Sequence, residues 1–471
     1  MFLAIFLPIL TLGVLLASLW ASWRAIRTAR TPQGAVGWVV FLLTAPYIAL
    51  VLYLFLGHHR YRHYQVSRRE SGRVIEAAND FSARFAPGPA PEGIRTEPFE
   101  KLAALGALRG NDMQLLVDGE ATFEALFAAI DAAEHYILAQ FYIIHDDEIG
   151  KAFAERLINA ADRGVSVRLI YDPVGSHSLP EPYLQRLRDA GAHVPQRRQL
   201  SHRSGRLQIN YRNHRKTLIV DGQTGFTGGL NVGDEYLGRD PKFGPWRDTF
   251  IRLEGPMVAE LQLVFAEDWH WGTGETLIAP LHWEPKAAEA DMTGLILPAG
   301  PADEVETGTF FFLSAIVAAE KRIWIASPYF VPDTDVLSAL KQAALRGVEV
   351  RVLVPDAIDH TLPWLAAFAA FDECRAVGVE IWRYKEGFLH EKVVLVDDRL
   401  AAVGSMNMDN RSFRLNFETM ALLFDRRAAQ ALEDMLVADF ARAEMMEKDL
   451  TQQSLKIRIG APFARLFAPL L

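Results

Sequence analysis

One pattern of residues occurs twice in this 471-residue chain, and the duplication limits the fold more than any other feature. The pattern is His-x-Lys-x4-Asp, followed after six residues by Gly-(Gly/Ser)-x-Asn. Its members are His214, Lys216, Asp221 and Asn231 in the first copy and His390, Lys392, Asp397 and Asn407 in the second. A single motif of this kind is a weak signal, but two copies with equal spacing indicate a duplicated domain.

The segments before each motif repeat the same order of predicted elements. An apolar strand, an amphipathic helix and the end of a second strand fall at 136–144, 149–161 and 172 in the first half, and at 323–331, 336–345 and 356 in the second. Apolar strands alternating with such helices are typical of βαβ units with a largely buried mixed sheet. The sequence therefore predicts an α/β fold, with two similar lobes whose mixed β-sheets pack face to face around a shared site.

The N-terminal region contains two uncharged apolar runs, residues 1–23 and 31–57. Each is long enough to cross a bilayer as a helix, which takes about 20 residues. A cleaved signal peptide is the alternative for the first run, but the run lacks a basic start and a second run follows at once. The predicted domains are a two-helix transmembrane hairpin (1–58), a juxtamembrane linker (59–100), a first lobe (101–285) and a second lobe (286–471).

Positive charge occurs on both sides of the second apolar run. Three arginines lie between residues 24 and 30, and five lie between residues 60 and 73. Cytoplasmic segments of membrane proteins are richer in Lys and Arg than segments on the other side. The modest excess of arginines after the second apolar run therefore favours a catalytic region on the cytoplasmic side.

Charge and cysteine content exclude some classes of site. The net charge of -9, together with the membrane segments, disfavours a nucleic-acid-binding protein. The single cysteine, Cys374, rules out an internal disulfide and a cysteine-rich metal site, and we interpret it as a helix packing residue.

The duplicated motif predicts chemistry on a phosphate group. Residues separated by one position on a strand point to the same face, so each lysine lies beside its histidine. The asparagines follow glycine turns, where their amides can donate to the same oxygens. Two such sets form a cationic cup around one phosphate, with one histidine as nucleophile and the other as general acid. This chemistry requires no metal and no cofactor.

A nucleophilic histidine also needs a carboxylate that orients its ring. Asp221 and Asp397 are candidates because they complete the motifs, and Asp248 and Glu418 lie downstream. Since Asp221 and Asp397 precede turns, where aspartate caps the backbone, we favour a structural role for this pair. We favour the orienting role for Asp248 and Glu418.

The paired motifs resemble the HKD motifs of the phospholipase D superfamily, and the chain as a whole resembles the bacterial cardiolipin synthase family. The resemblance rests on the N-terminal hairpin and on residues 213–216, 227–236, 246–248, 325–332, 404–409, 411–413 and 465–471. The three consecutive phenylalanines at 310–312 depart from the more polar helix expected there.

This resemblance implies an activity and a location. A phosphatidyl group would pass from one phosphatidylglycerol to the hydroxyl of another through a phosphatidyl-histidine intermediate, with release of glycerol. His214 would attack, and His390 would protonate the leaving glycerol and then deprotonate the incoming hydroxyl. The resemblance also implies a multi-pass protein of the bacterial inner membrane, with phosphatidylglycerol and the bilayer as partners. Oligomerisation is left open.

Three other functions are alternatives. Two of them are enzymes that would use the same catalytic residues, and the third is a protein that would use none of them. A phospholipase D hydrolase would have water as acceptor and release phosphatidic acid, and the motifs do not distinguish acceptors. A nucleic-acid phosphodiesterase is disfavoured by the acidic balance and the anchor. An inactive membrane scaffold is disfavoured because both copies retain His, Lys and Asn, and a dead site has no need for buried charge.

Overall fold

The structure is a computed structural model, which describes residues 2–29, 31–57, 85–86, 93–203 and 212–471. Contacts divide the chain into two units, Met1–His63 with Ser201–Tyr211 and Tyr64–Leu200 with Arg212–Leu471.

The N-terminal unit contains the helices α1 (Phe2–Thr28), α2 (Pro32–Thr44) and α3 (Pro46–Leu56). Among the described residues, one helix is long and apolar enough to cross a membrane, at Phe6–Thr28. The second apolar run was predicted as a single span, and the structure corrects this to two helices. The break follows from Pro46, which has no N–H to donate and which keeps Ala45 out of the helical region, at φ -134 and ψ 58.

The rest of the chain alternates strands and helices. The next helices are α4 (Glu97–Ala103), α5 (Asp118–Asp131), α6 (Glu148–Asp162), α7 (Glu181–Asp189), α8 (Arg197–Arg203), α9 (Met257–Thr273), α10 (Thr307–Ala318), α11 (Thr334–Leu345), α12 (Thr361–Arg375), α13 (Asn410–Arg414), α14 (Arg426–Phe440) and α15 (Leu455–Arg465). Short 3₁₀ turns occur at Asp234–Leu237, Leu450–Gln452 and Ala468–Leu470.

The strands fall into the two halves that the sequence predicts. The first half has β1 (Leu108–Val117), β2 (Tyr136–Phe141), β3 (Ser166–Tyr171), β4 (Arg212–Asn213), β5 (Thr217–Val220), β6 (Thr224–Gly228), β7 (Trp246–Arg247) and β8 (Thr249–Glu254). The second has β9 (Met292–Ala299), β10 (Arg322–Ala326), β11 (Phe330–Val331), β12 (Glu349–Pro355), β13 (Glu380–Tyr384), β14 (Phe388–Leu389), β15 (Val393–Val396), β16 (Leu400–Gly404), β17 (Met408–Asp409), β18 (Asn416–Leu423) and β19 (Ala443–Met445).

The two halves use the same helix ends. Asp147 and Asp333 cap α6 and α11, and each carboxylate accepts a hydrogen bond from the backbone N–H three residues later. Gly164 and Gly347 follow these helices with φ of 90 and 89, a conformation that costs little only for glycine. Identical caps at equivalent positions confirm the predicted internal repeat.

The strands form a mixed sheet, as predicted. Within the described residues it has 15 strands in the order β19-β13-β12-β10-β15-β16-β18-β9-β1-β8-β6-β5-β2-β3, with β4 beside β18. Strands β2 and β3 pair in parallel, as do β10, β12 and β13, and antiparallel pairing of β1 with β9 joins the two halves.

The strand predicted at 323–331 is shorter than expected. It ends at Ala326, and β11 (Phe330–Val331) pairs with β17 instead. Pro328 lies between the two segments and has no N–H for the ladder, which explains the interruption.

Apolar side chains from both halves meet in one central core. Leu138 and Ile219 of the first half belong to the same buried cluster as Leu395 and Val403 of the second, together with residues of α9 and α14. Two further clusters lie on the other sides of the sheet, one in each half. The two halves therefore share one core, although their strands belong to one continuous sheet and not to two separate sheets as predicted. The proposed division at residue 285 lies in the segment between α9 and β9.

Candidate active site

The motif of each half is fixed to the backbone of the other half. The segment before His214 pairs in parallel with the start of β18, and the N–H of His214 donates to the Phe417 carbonyl at 2.9 Å. Likewise, β14 pairs in parallel with β7, and the N–H of His390 donates to the Arg247 carbonyl at 2.7 Å. Each histidine is therefore positioned by the strand that carries Glu418 or directly precedes Asp248 in the opposite half.

The two histidines contact carboxylates across this boundary. Nδ1 of His214 lies 2.9 Å from Oε2 of Glu418, and Nδ1 of His390 lies 2.8 Å from Oδ2 of Asp248. Both carboxylates are fully buried. A ring that donates its Nδ1 proton to a carboxylate keeps Nε2 for chemistry. The structure thus places Asp248 and Glu418 where the sequence predicts orienting groups.

Neighbouring polar groups hold both carboxylates in place. Glu418 accepts hydrogen bonds from the Ser405 hydroxyl at 2.6 Å and from the Asn416 amide at 3.1 Å. Asp248 accepts one from the Thr249 N–H at 2.8 Å. A Cβ atom at Gly229 would lie 1.9 Å from Oδ1 of Asp248, so only glycine fits there. This explains why the two motifs differ at this position, with Gly229 in one and Ser405 in the other.

The two lysines lie beside their histidines. Nζ of Lys216 donates to the His214 carbonyl at 2.6 Å, and Nζ of Lys392 donates to the His390 carbonyl and lies 2.8 Å from Nδ1 of that residue. Burial lowers the pKa of Lys392 to about 8 and holds that of Lys216 well below its usual value. Lys392 therefore titrates near physiological pH.

Burial also determines the charge of the histidines. It lowers the pKa of His214 and of His390 to about 4, and the carboxylate partners only partly oppose this. Burial disfavours ionisation of Asp248 and Glu418 as well, but the contacts with the histidine rings and the adjacent lysines outweigh it and leave both pKa values below their usual range. At neutral pH the site thus contains neutral imidazoles and ionised carboxylates.

The two motif asparagines differ in their contacts. Asn231 accepts from the Ile143 N–H at 3.1 Å and donates to the Tyr236 hydroxyl at 2.9 Å. Asn407 is buried, and among the described residues its Oδ1 has no hydrogen-bond partner. The Asn231 side chain therefore holds the loop after β2, whereas the Oδ1 atom of Asn407 is not held by a hydrogen bond to a described residue.

Asp221 and Asp397 hold backbone amides, although both were included among the candidate catalytic residues. The Asp221 carboxylate accepts from the N–H groups of 134–136 at 2.8 to 2.9 Å. The Asp397 carboxylate accepts from those of 320–322 at 2.8 to 3.1 Å. Both residues have a positive φ, 53 and 52, which aspartate tolerates better than most side chains. This geometry supports the structural role.

We expect replacement of either aspartate to lower the stability of the fold more than the rate of turnover. Asp221→Ala or Asp397→Ala leaves three amides without their acceptor, which costs about 2 kcal/mol or more. The corresponding Asn variants keep one oxygen and tolerate the backbone conformation, so they should be milder. Thermal unfolding of the purified protein measures this order. A large loss of turnover at unchanged midpoint would instead assign these aspartates to the reaction.

Several residues near the site were not predicted from the sequence. Arg215 pairs with Asp268 at 2.6 Å, and Arg247 pairs with Asp439 at 2.6 Å and with Glu391 at 3.1 Å. Arg215 and Glu391 stand between His and Lys in the two motifs. Because successive side chains on a strand point to opposite faces, this position predicts side chains that point away from the site.

Within the described ranges, no group of three or more His, Cys, Asp or Glu residues is placed to hold a metal ion.

Comparisons with known proteins show which families the chain matches. Residues 126–269 and 312–439 match the family described as "Cardiolipin synthase, PLD-like domain", and residues 16–58 match the phospholipase D-nuclease N-terminal family. Cardiolipin synthase A of Pseudomonas fluorescens strain Pf-5 is 44% identical over 465 residues, which cover 96% of this chain and 95% of the relative. Cardiolipin synthase A of Pseudomonas entomophila is 44% identical over 467 residues, with the same coverage.

One solved structure supports the fold. The crystal structure of phosphatidylserine synthase from Haemophilus influenzae superposes with a TM-score of 0.56, covering 84% of this chain and 100% of that one. At 14% sequence identity this likeness concerns the fold alone.

Proposed function

The chain belongs to the cardiolipin synthase family of phospholipase D-like proteins, and on that premise we propose that it joins two phosphatidylglycerol molecules into cardiolipin and releases glycerol. The observation that carries this proposal is the exchange of carboxylates between the halves, His214 with Glu418 and His390 with Asp248. Two oriented imidazoles with two buried lysines form a site for one phosphodiester.

In the first step Nε2 of His214 attacks the phosphorus of the donor lipid. A phosphorus–nitrogen bond forms, the bond to the glycerol oxygen breaks, and His390 gives that oxygen its proton. His390 is neutral at rest and takes up one proton from solvent when the donor lipid binds, because the anionic phosphodiester favours the protonated ring. Lys216 and Lys392 stabilise the charge on the non-bridging oxygens.

In the second step the headgroup hydroxyl of another phosphatidylglycerol gives its proton to His390 and attacks the phosphatidyl-histidine. The new phosphorus–oxygen bond yields cardiolipin and frees His214. His390 releases this proton to solvent when cardiolipin leaves, so both histidines return to their neutral resting state and the cycle balances without a co-reactant.

The chain is associated with a membrane, since it carries an apolar helix of spanning length and matches a membrane-lipid enzyme family. We propose that residues 1–58 cross the bacterial inner membrane twice and that the catalytic unit lies on the cytoplasmic side, in line with the excess of arginines at 60–73. A membrane anchor keeps the site where acceptor lipid is concentrated, which favours a lipid acceptor over water.

The choice between synthase and hydrolase is tested by the products. Purified full-length protein in liposomes of labelled phosphatidylglycerol should yield cardiolipin and glycerol in equal amounts. Phosphatidic acid as the sole lipid product would support the hydrolase, and absence of turnover would support the inactive scaffold.

The pH dependence of kcat/KM should reflect the ionisation of Lys392. Its ammonium is present below a pKa of about 8 and is lost as the pH rises through that value. We therefore expect kcat/KM to fall on the alkaline side of pH ~8, because a neutral amine stabilises the phosphate oxygens less well. In Lys392→Arg, whose side chain stays charged to above pH ~12, the remaining activity should lack this limb. The same limb in that variant would assign it to another group.

A further inference from the structure

The helix α15 is attached to the second half of the catalytic unit by one face. It packs on α12 through Ala461 and Ala464, which are buried. A Cβ atom at Gly460 would lie 3.1 Å from Cδ1 of Leu365 in α12. Because the distance between two packed helices depends on the side chains at their contact, these small residues hold α15 close to α12.

The opposite face of α15 exposes large apolar side chains. Residues three or four positions apart lie on the same face of a helix, and the exposed residues of α15 follow this spacing into the 3₁₀ turn after it. We call them the apolar strip, and between 39 and 74% of the surface of each is exposed. The members of the apolar strip are Leu455, Ile459, Phe463, Leu466, Phe467 and Leu470.

The helix α6 of the same unit shows the usual pattern of a surface helix. Its exposed positions include Glu148, Lys151, Glu155 and Asn159, all of them polar. Exposed apolar area is unfavourable in water, and a row of several large apolar side chains on the surface marks a site of contact with a partner or a membrane. The apolar strip therefore requires an occupant.

Basic side chains flank the apolar strip. Lys456, Arg458 and Arg465 are exposed, and Arg465 also contacts Glu373 of α12 at 2.9 Å. Residues 450–471 contain no Asp or Glu, although the net charge of the chain is -9. A long basic side chain can lie along apolar surface and keep its charge among lipid headgroups. Apolar residues flanked by Lys and Arg are typical of a helix that lies in the interface of an anionic bilayer.

The apolar strip is connected to the second catalytic motif through α13. The 3₁₀ turn Ala468–Leu470 contacts α13, and the N–H of Arg411 donates to the Leu471 carbonyl at 2.7 Å. The helix α13 begins three residues after Asn407 and is capped by Asp409. Contact between the apolar strip and a bilayer would thus hold this side of the active site close to the lipid headgroups.

We propose that the apolar strip and its basic flanks form a second membrane-contact surface, which belongs to the catalytic unit and lies in the headgroup region of a bilayer containing anionic phospholipid. The inference goes beyond the proposed function, which supplies only the reason for the contact, namely that the substrate is a component of the bilayer. A second copy of the chain could also cover the apolar strip. The basic flanks favour the bilayer, because pairing of two such helices would bring like charges together.

The test places a fluorescent label on the apolar strip of the full-length protein. Cys374 is fully buried, and burial raises the pKa of its thiol to about 12, so the label reacts at an introduced cysteine. Leu466→Cys carries an environment-sensitive dye in liposomes of phosphatidylglycerol and phosphatidylcholine with brominated acyl chains. We expect the emission to shift to shorter wavelength and to be quenched. A label at Lys151→Cys, on the exposed face of α6, should show neither effect.

Further variants separate the apolar contribution from the charge. Ile459→Ser combined with Phe463→Ser should weaken the quenching. It should also raise the KM for the mole fraction of phosphatidylglycerol by about 10-fold at unchanged kcat, since docking then depends on a higher density of anionic lipid. Lys456→Gln combined with Arg458→Gln should weaken the quenching at low salt. Val437→Ser, at an exposed apolar residue of α14 outside the apolar strip, is the matched control and should change neither readout.

The outcomes distinguish this inference from the proposed function. A label that is not quenched while the wild type forms cardiolipin overturns the membrane-contact surface alone. Quenching without cardiolipin formation overturns the proposed function and supports the surface. A blue shift without quenching by lipid, which persists in detergent and grows with protein concentration, assigns the apolar strip to a second copy of the chain and overturns the inference.

Discussion

Replacing His214 or His390 with alanine is expected to lower cardiolipin formation by roughly 10⁴-fold or more, the scale of loss when a member of a catalytic unit is removed. The reason is that each imidazole performs a step that the other cannot perform from its own position. His214 forms the bond to phosphorus, and His390 moves the proton on the opposite side. Rates of cardiolipin and glycerol release from liposomes measure this effect.

The double variant sharpens this prediction. Because the two histidines act on one phosphate, His214→Ala combined with His390→Ala should be little worse than either single variant. His177→Ala, at an exposed histidine in the first half, is the matched control and should retain wild-type turnover. A loss of only about half of the turnover in each single variant, with none left in the double variant, would indicate two independent sites, one in each half.

The second large effect concerns the carboxylates that cross between the halves. Glu418→Gln and Asp248→Asn keep the shape of the side chain but remove the charge that orients His214 and His390. We expect turnover to fall by about 10²- to 10⁴-fold, since the ring loses its preferred tautomer and the stabilisation of its protonated form. Steady-state kinetics with phosphatidylglycerol in mixed micelles provide the measurement.

A matched control separates this effect from a change in packing around a buried carboxyl group. Glu260 in α9 is also buried, accepts from the Ile296 N–H at 2.7 Å and has a pKa held well above its usual value by burial. Burial thus favours the uncharged form of this carboxyl group, and Glu260→Gln should lower turnover far less than Glu418→Gln. Equal losses in Glu260→Gln and Glu418→Gln would mean that packing, and not orientation of His214, explains the effect.

The catalytic groups were accessible from the sequence because the motif is local and duplicated. Equal spacing around His214 and His390 predicts their common role, and alternation along a strand places Lys216 and Lys392 beside them. The sequence also indicated Asp248 and Glu418 as orienting groups. That each carboxylate serves the histidine of the other half followed only from the pairing of β4 with β18 and of β14 with β7.

Other features depend on contacts between distant parts of the chain. The antiparallel pairing of β1 with β9, which joins the two halves into one sheet, leaves no mark in the hydrophobic pattern of either strand. The division of the second apolar run depends on Pro46, which ends the first helix, whereas the apolar length of the run alone predicts a single span.

The most direct test of the central claim is to trap the covalent intermediate. Full-length protein mixed briefly with labelled phosphatidylglycerol, denatured at alkaline pH and analysed by peptide mass spectrometry should carry a phosphatidyl group on His214. The adduct should be absent from His214→Ala. Cardiolipin formation with no adduct on His214, or with the adduct on His390, would contradict the assigned roles of the two histidines.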